Sequence, residues 1–276
     1  MKLSRGATYM IFAALFFSIM AALVKLGGNR LPSQEMVMFR SIVVLILNIY
    51  LIKRYGLPLW GHNKKLLWLR GFTGFWGLSA FYYTLTQIPI SDSVTIQYTS
   101  PLWTAAIATF VLKERNPLKM WAFFILAFSG VIFIVRPGFS FHTSAALLGM
   151  GGAVCSGTAY TLVRKLRTTD HPLNIILYLP IVSIILSFPI VVKDFVMPVG
   201  WEWLTLFLMG LSTFIAQIFL TKSLHEETAA KATNVSYVSI IFSTIFGLMF
   251  WGEMPDWRTG VGALLVFIAV FRIGRK

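Results

Sequence analysis

The sequence is poor in charge, in carboxylates and in cysteine. Only 12% of the 276 residues are charged, against about a quarter in soluble domains. Cys155 is the single cysteine, which excludes an internal disulfide and a cysteine-based metal cluster, and we expect its thiol to be buried and inert. No phosphate-binding glycine motif is present, and no acids, bases and nucleophiles converge. We therefore expect no enzyme, no catalytic residue, no cofactor and no metal site.

Hydrophobic runs take the place of the missing charge. Hydrophobic residues make up 57% of the chain, and the mean hydropathy is +0.75. Apolar runs of roughly 17 to 25 residues recur, each long enough to cross the ~30 Å hydrocarbon core as a helix. The runs are continuous rather than alternating, which favours helices over a barrel. We predict an all-α membrane protein with ten transmembrane helices, at 6–26, 36–52, 68–87, 93–112, 119–135, 145–164, 173–192, 202–221, 231–250 and 258–272.

The net charge of +14 is explained by the sidedness of the basic residues. With the amino terminus in the cytoplasm, eighteen of the 24 basic residues, Arg70 among them, fall on the cytoplasmic side of the predicted spans. Five fall outside, and Arg40 lies within span two. This bias follows the positive-inside rule and requires no nucleic-acid partner. We predict a protein of the plasma membrane, which in bacteria is the inner membrane, with both termini in the cytoplasm.

The chain resembles itself at a shift of 139 positions. The run YTSPLWTAAIATFVLKER opens on Tyr98, and YVSIIFSTIFGLMFWGEM opens on Tyr237. The basic residues that flank Glu114 in the first run are absent beside Glu253 in the second. Five spans per half is an odd number, so a duplicated half enters the membrane inverted and every loop changes sides. We predict two inverted five-helix repeats, at 6–135 and 145–272.

Two segments resemble the EamA module of the drug/metabolite transporter superfamily. The first is IPISDSVTIQYTSPLWTAAIATFVLKER followed by GVIFIVRPG, and the second is SLHEETAAKATNVSYVSIIFSTIFGLMFWGEMPDWRTGVGALL. The resemblance covers roughly residues 6 to 272 and implies ten helices in two inverted halves, with a central cavity and alternating access. In one departure, Pro101 of the first copy is Ile240 in the second, so a Pro-dependent bend should not be symmetric.

Polar residues inside spans are costly and therefore indicate function. Arg40 lies in MVMFRSIVV, inside the outer end of span two, and the family resemblance also places an Arg there. Its guanidinium group suits a carboxylate or phosphate. The alternative is a side chain that extends to the lipid headgroups. We expect Arg40 to be the only cation well inside a span.

Other polar and aromatic residues also fall within the spans. In span four, Gln97, Ser100 and Thr104 recur at helical spacing beside Pro101, as in a cavity wall; the alternative is hydrogen bonding between packed helices. Most tryptophans lie near span ends, as in an aromatic belt, but two do not. The predicted substrate-binding residues are Arg40, Trp76, Tyr82, Gln97, Tyr98, Ser100, Trp103, Tyr160, Asn234 and Tyr237.

These features predict a secondary transporter of a small organic metabolite, anionic or zwitterionic, in facilitated or exchange mode. The rival hypothesis is a non-transporting scaffold or lipid-interacting regulator, whose polar groups would be fully paired in a solid bundle. Carboxylates cluster at span ends, so we expect no proton relay, although Asp92 begins span four and could lie deeper. The expected partners are a small-molecule substrate and the lipid bilayer, and a homodimer is left open.

The predicted topology can be tested by labelling thiols from outside the cell. A cysteine placed at position 2 or 276 should not react with an impermeant reagent in intact cells, because ten spans and the charge bias put both termini in the cytoplasm. Labelling of either position before the cells are broken would contradict this topology.

Overall fold

The computed structural model describes residues 3–28, 30–87, 96–114, 117–135, 143–252 and 257–274. These residues form helices and their connections, with no strand among them. In chain order the helices are α1 (Arg5–Gly27), α2 (Ser33–Arg54), α3 (Lys64–Gln87), α4 (Ser100–Val111), α5 (Leu118–Val135), α6 (Thr143–Leu166), α7 (Pro172–Val191), α8 (Trp201–Glu226), α9 (Ala229–Val235), α10 (Val238–Trp251) and α11 (Trp257–Gly274).

Several of the helices can cross a membrane by length and composition. In the described residues, six stretches are long and apolar enough: Arg5–Gly27, Ser33–Arg54, Ser144–Leu166, Pro172–Val191, Trp201–Glu226 and Ala229–Phe250. Three shorter apolar helices cover Ser100–Val111, Leu118–Phe133 and Gly260–Arg272. The all-helical class is therefore confirmed, and the count of ten membrane spans stays a prediction.

A shift of 139 positions relates the helices of the two halves. Shifted by 139, α1, α2 and α5 would cover 144–166, 172–193 and 257–274, which are nearly the bounds of α6, α7 and α11. The packing of the helices shows the same correspondence. Helix α1 packs on α8 in the way that α3 packs on α6. In addition, α2 packs on its own equivalent α7, and α5 packs on its equivalent α11. The main helix contacts therefore join one half to the other.

Spans four and nine are both interrupted. A turn that contains Tyr98 precedes α4, and a turn that contains Tyr237, 139 positions later, separates α9 from α10. The interruption persists where Ile240 replaces Pro101, so it does not depend on proline, and the asymmetry of a Pro-dependent bend stays a prediction. The backbone N–H of Tyr237 donates to the carbonyl of Asn234 at 3.2 Å, and that of Ile240 donates to Tyr237 at 3.1 Å. Such bonds across three residues tighten the chain without a proline.

Gly71 of α3 and Gly210 of α8 allow neighbouring helices to approach closely. A Cβ atom at position 210 would lie 2.5 Å from the Cβ of Val43 and 3.1 Å from the carbonyl oxygen of Arg40. A Cβ atom at position 71 would lie 2.9 Å from Val182. Equivalent glycines therefore seat α8 on α2 and α3 on α7.

The variant Gly210→Ala should lower the free energy of unfolding by about 1–3 kcal/mol, because the added methyl group overpacks the contact with α2. Gly151→Ala is the matched control, since a Cβ atom there would meet nothing within 4 Å. That control should leave stability unchanged or slightly raised. Thermal unfolding of the purified protein in detergent measures both, and equal melting temperatures for the two variants would contradict the close contact.

Candidate functional site

A small cavity lies among α2, α7 and α8. Its volume of about 10 Å³ admits little more than one water molecule. The wall combines apolar side chains with a few polar groups, as ligand sites commonly do. A ligand larger than water does not fit in a cavity of this size unless the helices separate. The lining residues are Arg40, Ser41, Val44, Ile176, Leu179, Pro180, Thr213 and Gln217.

Arg40 contributes a charge to this cavity. It lies about 10 Å along α2, and its side chain is buried, with 4% of the residue exposed. The guanidinium carbon lies 6.0 Å from the ring centroid of Tyr82, within cation–π range. Among the described residues, Nε of Arg40 has no hydrogen-bond partner and no carboxylate pairs with the side chain. A side chain that extended to the headgroups would be exposed, which Arg40 is not.

Arg70 is a second buried arginine beside the cavity. It is 2% exposed, and its Nη2 donates to Oε1 of Gln217 at 3.3 Å. Its Nε and Nη1 atoms have no hydrogen-bond partner within the described part of the chain. Since α3 begins at Lys64, Arg70 lies about 9 Å along that helix. Arg40 as the only cation well inside a span stays a prediction.

Gln217 of α8 connects the two arginines. Its side chain lines the cavity together with Arg40 and accepts the hydrogen bond from Arg70. Thr213, one turn earlier on α8, also lines the cavity, and its hydroxyl has no partner among the described residues. Gly74 leaves the space that Nη1 of Arg70 occupies. Gly74 lies four residues after Arg70 on the same helix face, and this spacing is the sequence pattern that could have indicated space for the Arg70 side chain.

A cluster of tyrosines lies at the two helix interruptions. The hydroxyl of Tyr98 and Oγ of Ser239 are 2.8 Å apart, and the hydroxyl of Tyr237 donates to the carbonyl of Tyr98 at 2.9 Å. The two tyrosine ring centroids are 5.9 Å apart. The two helix interruptions are therefore joined to each other through these tyrosines.

Three other predicted site residues are polar and lie near the interruptions. Nε2 of Gln97 donates to Oγ of Ser156 at 3.4 Å. Ser100 is buried, and its carbonyl accepts from the hydroxyl of Thr104 at 2.9 Å. Asn234 is fully buried, and neither polar atom of its side chain has a partner in the described ranges. Span four therefore uses its polar face partly for helix packing.

The two mid-span tryptophans are not brought to the arginines. Trp76 of α3 is 58% exposed and Trp103 of α4 is 37% exposed, so the bundle does not enclose either ring. Tyr82, by contrast, is buried against Arg40. Cys155, which we expected to be buried, is half-buried in α6.

Arg164, near the end of α6, shows how a buried arginine is paired in this protein. Its Nε donates to Oε1 of Glu114 at 2.8 Å, and its Nη1 donates to the carbonyls of Leu224 and His225 at 3.1 and 2.9 Å. Oε2 of Glu114 accepts the N–H of Ala229 at 3.0 Å. Glu114 therefore joins the end of α6 to the start of α9.

A second ionic network joins the α1–α2 connection to the α7–α8 connection. Nε of Arg30 donates to Oε1 of Glu202 at 2.8 Å. Glu35, fully buried in the first turn of α2, accepts a backbone N–H of the α7–α8 connection at 3.0 Å. The other carboxylates of the described residues also lie at helix ends or in connections, while Asp92, Glu253 and Asp256 fall outside the described residues.

Comparison with known proteins assigns the family. The chain matches the EamA-like transporter family over residues 4–136 and 143–275. It belongs to this family. The pseudopaline exporter of Pseudomonas aeruginosa is 30% identical over 275 residues, which cover 99% of this chain and 97% of that protein. The S-adenosylmethionine uptake transporter of Rickettsia prowazekii is 24% identical over 269 residues, or 97% of this chain and 92% of that protein.

A mammalian relative and a solved structure extend this similarity. Solute carrier family 35 member G1 of the mouse is 29% identical over 285 residues, covering 96% of this chain and 76% of that protein. A solved crystal structure at 17% identity gives a TM-score of 0.84 and covers 98% of this chain and 96% of its own. At that identity the structure supports the fold alone. The EamA-like family membership makes the chain an integral membrane transporter rather than an enzyme.

The pairing of Glu114 with Arg164 can be tested through stability. Glu114→Gln should lower the free energy of unfolding by about 3–5 kcal/mol, because it leaves the guanidinium buried without its counter-charge. The double variant Glu114→Gln, Arg164→Met should recover part of the loss. Asp194→Asn, at an exposed carboxylate, is the matched control and should have little effect. Equal unfolding temperatures for Glu114→Gln and Asp194→Asn would contradict a structural role for this pair.

Proposed function

We propose that the protein is a secondary transporter that binds an acidic group of a small organic metabolite at Arg40. The main observation in support is the buried guanidinium of Arg40, which lines a cavity and keeps an Nε–H without a partner among the described residues. A guanidinium presents planar donors that match a carboxylate or phosphate, and charge-assisted bonds of this kind are strong. The names of an exporter and an uptake transporter among the relatives support a metabolite as the substrate and leave its direction open.

The position of the cavity supports alternating access. Its walls come from α2 of the first half and from α7 and α8 of the second half. We infer that the halves are inverted repeats of five spans, that both termini face the cytoplasm, and that the protein lies in the plasma membrane. Because the main helix contacts join one half to the other, we infer that each moving body combines helices of both halves, and that rocking of these bodies opens the cavity to one side at a time.

Unpaired polar groups favour transport over the scaffold hypothesis. A solid, non-transporting bundle would pair its buried polar groups, since each unpaired one costs about 1–3 kcal/mol. Arg40, Arg70, Thr213 and Asn234 all retain buried atoms without partners among the described residues. Of these, Arg40 and Thr213 line the cavity, where a polar ligand would pair them during part of the cycle.

The buried charge also supports exchange as the transport mode. Enclosing a guanidinium without a counter-charge costs several kcal/mol, and a bound anion offsets much of this cost. The loaded protein should therefore pass through the closed conformation more readily than the empty one. In liposomes loaded with the transported metabolite, uptake of labelled metabolite should be at least about tenfold faster than into liposomes without it. Equal rates under both conditions would exclude exchange.

The variant Arg40→Glu should abolish transport, because it places a negative charge where the acidic group of the substrate binds. The metabolite would first be identified by an untargeted comparison of cells with and without the protein. Arg54→Glu, which makes the same change at the exposed end of α2, is the matched control and should retain transport. Unchanged uptake by Arg40→Glu at normal expression would rule out the proposed role of Arg40.

A further inference from the structure

We propose that the substrate carries two acidic groups, one bound by Arg40 and the other by Arg70. This inference rests on the proposed function and narrows the substrate from an anion or zwitterion to a diacid. It follows from the arrangement of the two guanidinium groups, from the neutral character of the polar groups around them, and from the donors that each one keeps unpaired.

The two arginines converge on one side chain of the second half. Gln217 lines the cavity with Arg40 and accepts a hydrogen bond from Arg70 at 3.3 Å. Both arginines are more than nine-tenths buried, and together they keep three nitrogen atoms, Nε of Arg40 and Nε and Nη1 of Arg70, without partners among the described residues. Unpaired donors on both sides of Gln217 therefore offer two binding positions rather than one.

The charge of the site selects between a diacid and a zwitterion. The described polar groups next to the two guanidinium groups are neutral: Gln217, Thr213, Tyr82 and Tyr160. An ammonium group would enter a site with two positive charges and no described carboxylate to pair with, which is unfavourable in a low-dielectric interior. A monocarboxylate carries one negative charge and would neutralise only one guanidinium. Two acidic groups neutralise both.

Arg40 and Arg70 lie on different helices, so the two acidic groups must be separated by a short chain or ring. Tyr82 lies against Arg40, and Leu179, which lines the cavity, lies beside Gly74 near Nη1 of Arg70. These apolar surfaces suit the body of a small organic diacid. Gln217 is a positioning residue that orients Arg70 through its amide oxygen.

The test compares ligands that differ only in their second group. Succinate, butyrate and γ-aminobutyrate share a four-carbon chain that ends in a second carboxylate, a methyl group or an ammonium group. Binding to the purified full-length protein is measured in detergent by titrated thermal stabilisation, with the diacids from malonate to pimelate and their monoacids as a length series. At the best length the diacid should bind roughly tenfold to a hundredfold more tightly than its monoacid, and the zwitterion should bind no better than the monoacid.

Variants of Arg70 test whether this residue causes the preference for a diacid over a monoacid. Arg70→Gln should reduce the ratio of diacid to monoacid affinity by about tenfold while monoacid binding persists at Arg40. Arg54→Gln, the same change at an exposed position of α2, should leave the ratio unchanged. If Arg70→Gln does not give a cooperative unfolding transition, Arg70→Lys serves instead, because it keeps the charge but loses the paired donors and should lower the ratio partly.

The outcomes separate this inference from the proposed function. A zwitterion that binds as tightly as the diacid, failure of every diacid to bind, or a ratio unchanged in the Arg70 variants would overturn the diacid assignment. In the last case, loss of monoacid binding in Arg40→Gln would still support an anion site at Arg40. If neither arginine affects the binding of any acid, the proposed function of Arg40 also fails.

Discussion

The guanidinium groups of Arg40 and Arg70 lie inside an apolar helix bundle, and no described residue supplies either with a negative charge. Charge in such surroundings is costly and requires compensation. The ring of Tyr82 and the amide of Gln217 each supply a part of it. In the same protein, the buried charge of Arg164 is paired with a carboxylate and bonded to two carbonyls. A bound acidic metabolite would supply the negative charge that the cavity lacks.

The scaffold is nearly symmetric, whereas the charge in the cavity is not. Helix bounds, glycine contacts and helix interruptions repeat at a shift of 139 positions. Leu179 stands at the position equivalent to Arg40, and Met209 at the position equivalent to Arg70. Both cations therefore belong to the first half, and the second half contributes neutral donors and acceptors. Under the proposed function, the substrate would therefore be held mainly by the first half.

The sequence predicts the helical class and the internal repeat. Both can be read from single segments of the chain, the first from the apolar runs and the second from the matching segments at a shift of 139 positions. The sequence does not show that Arg70 is buried against Gln217, because that contact depends on how α3 packs against the second half of the chain. Pro101 indicates one helix interruption, but Ile240 gives no sign of the other, which depends on tight backbone turns. The mid-span position of Trp76 does not reveal which face of α3 is enclosed, since that depends on how the helices pack.

The most direct measurement is a structure of the protein with its transported metabolite bound. The arginine site predicts a metabolite among α2, α3, α7 and α8, in a cavity larger than the present one of about 10 Å³, with acidic oxygens about 3 Å from the guanidinium nitrogens of Arg40 and Arg70. A metabolite bound only at Tyr98 and Tyr237, with neither guanidinium in contact with an acidic group, would contradict it.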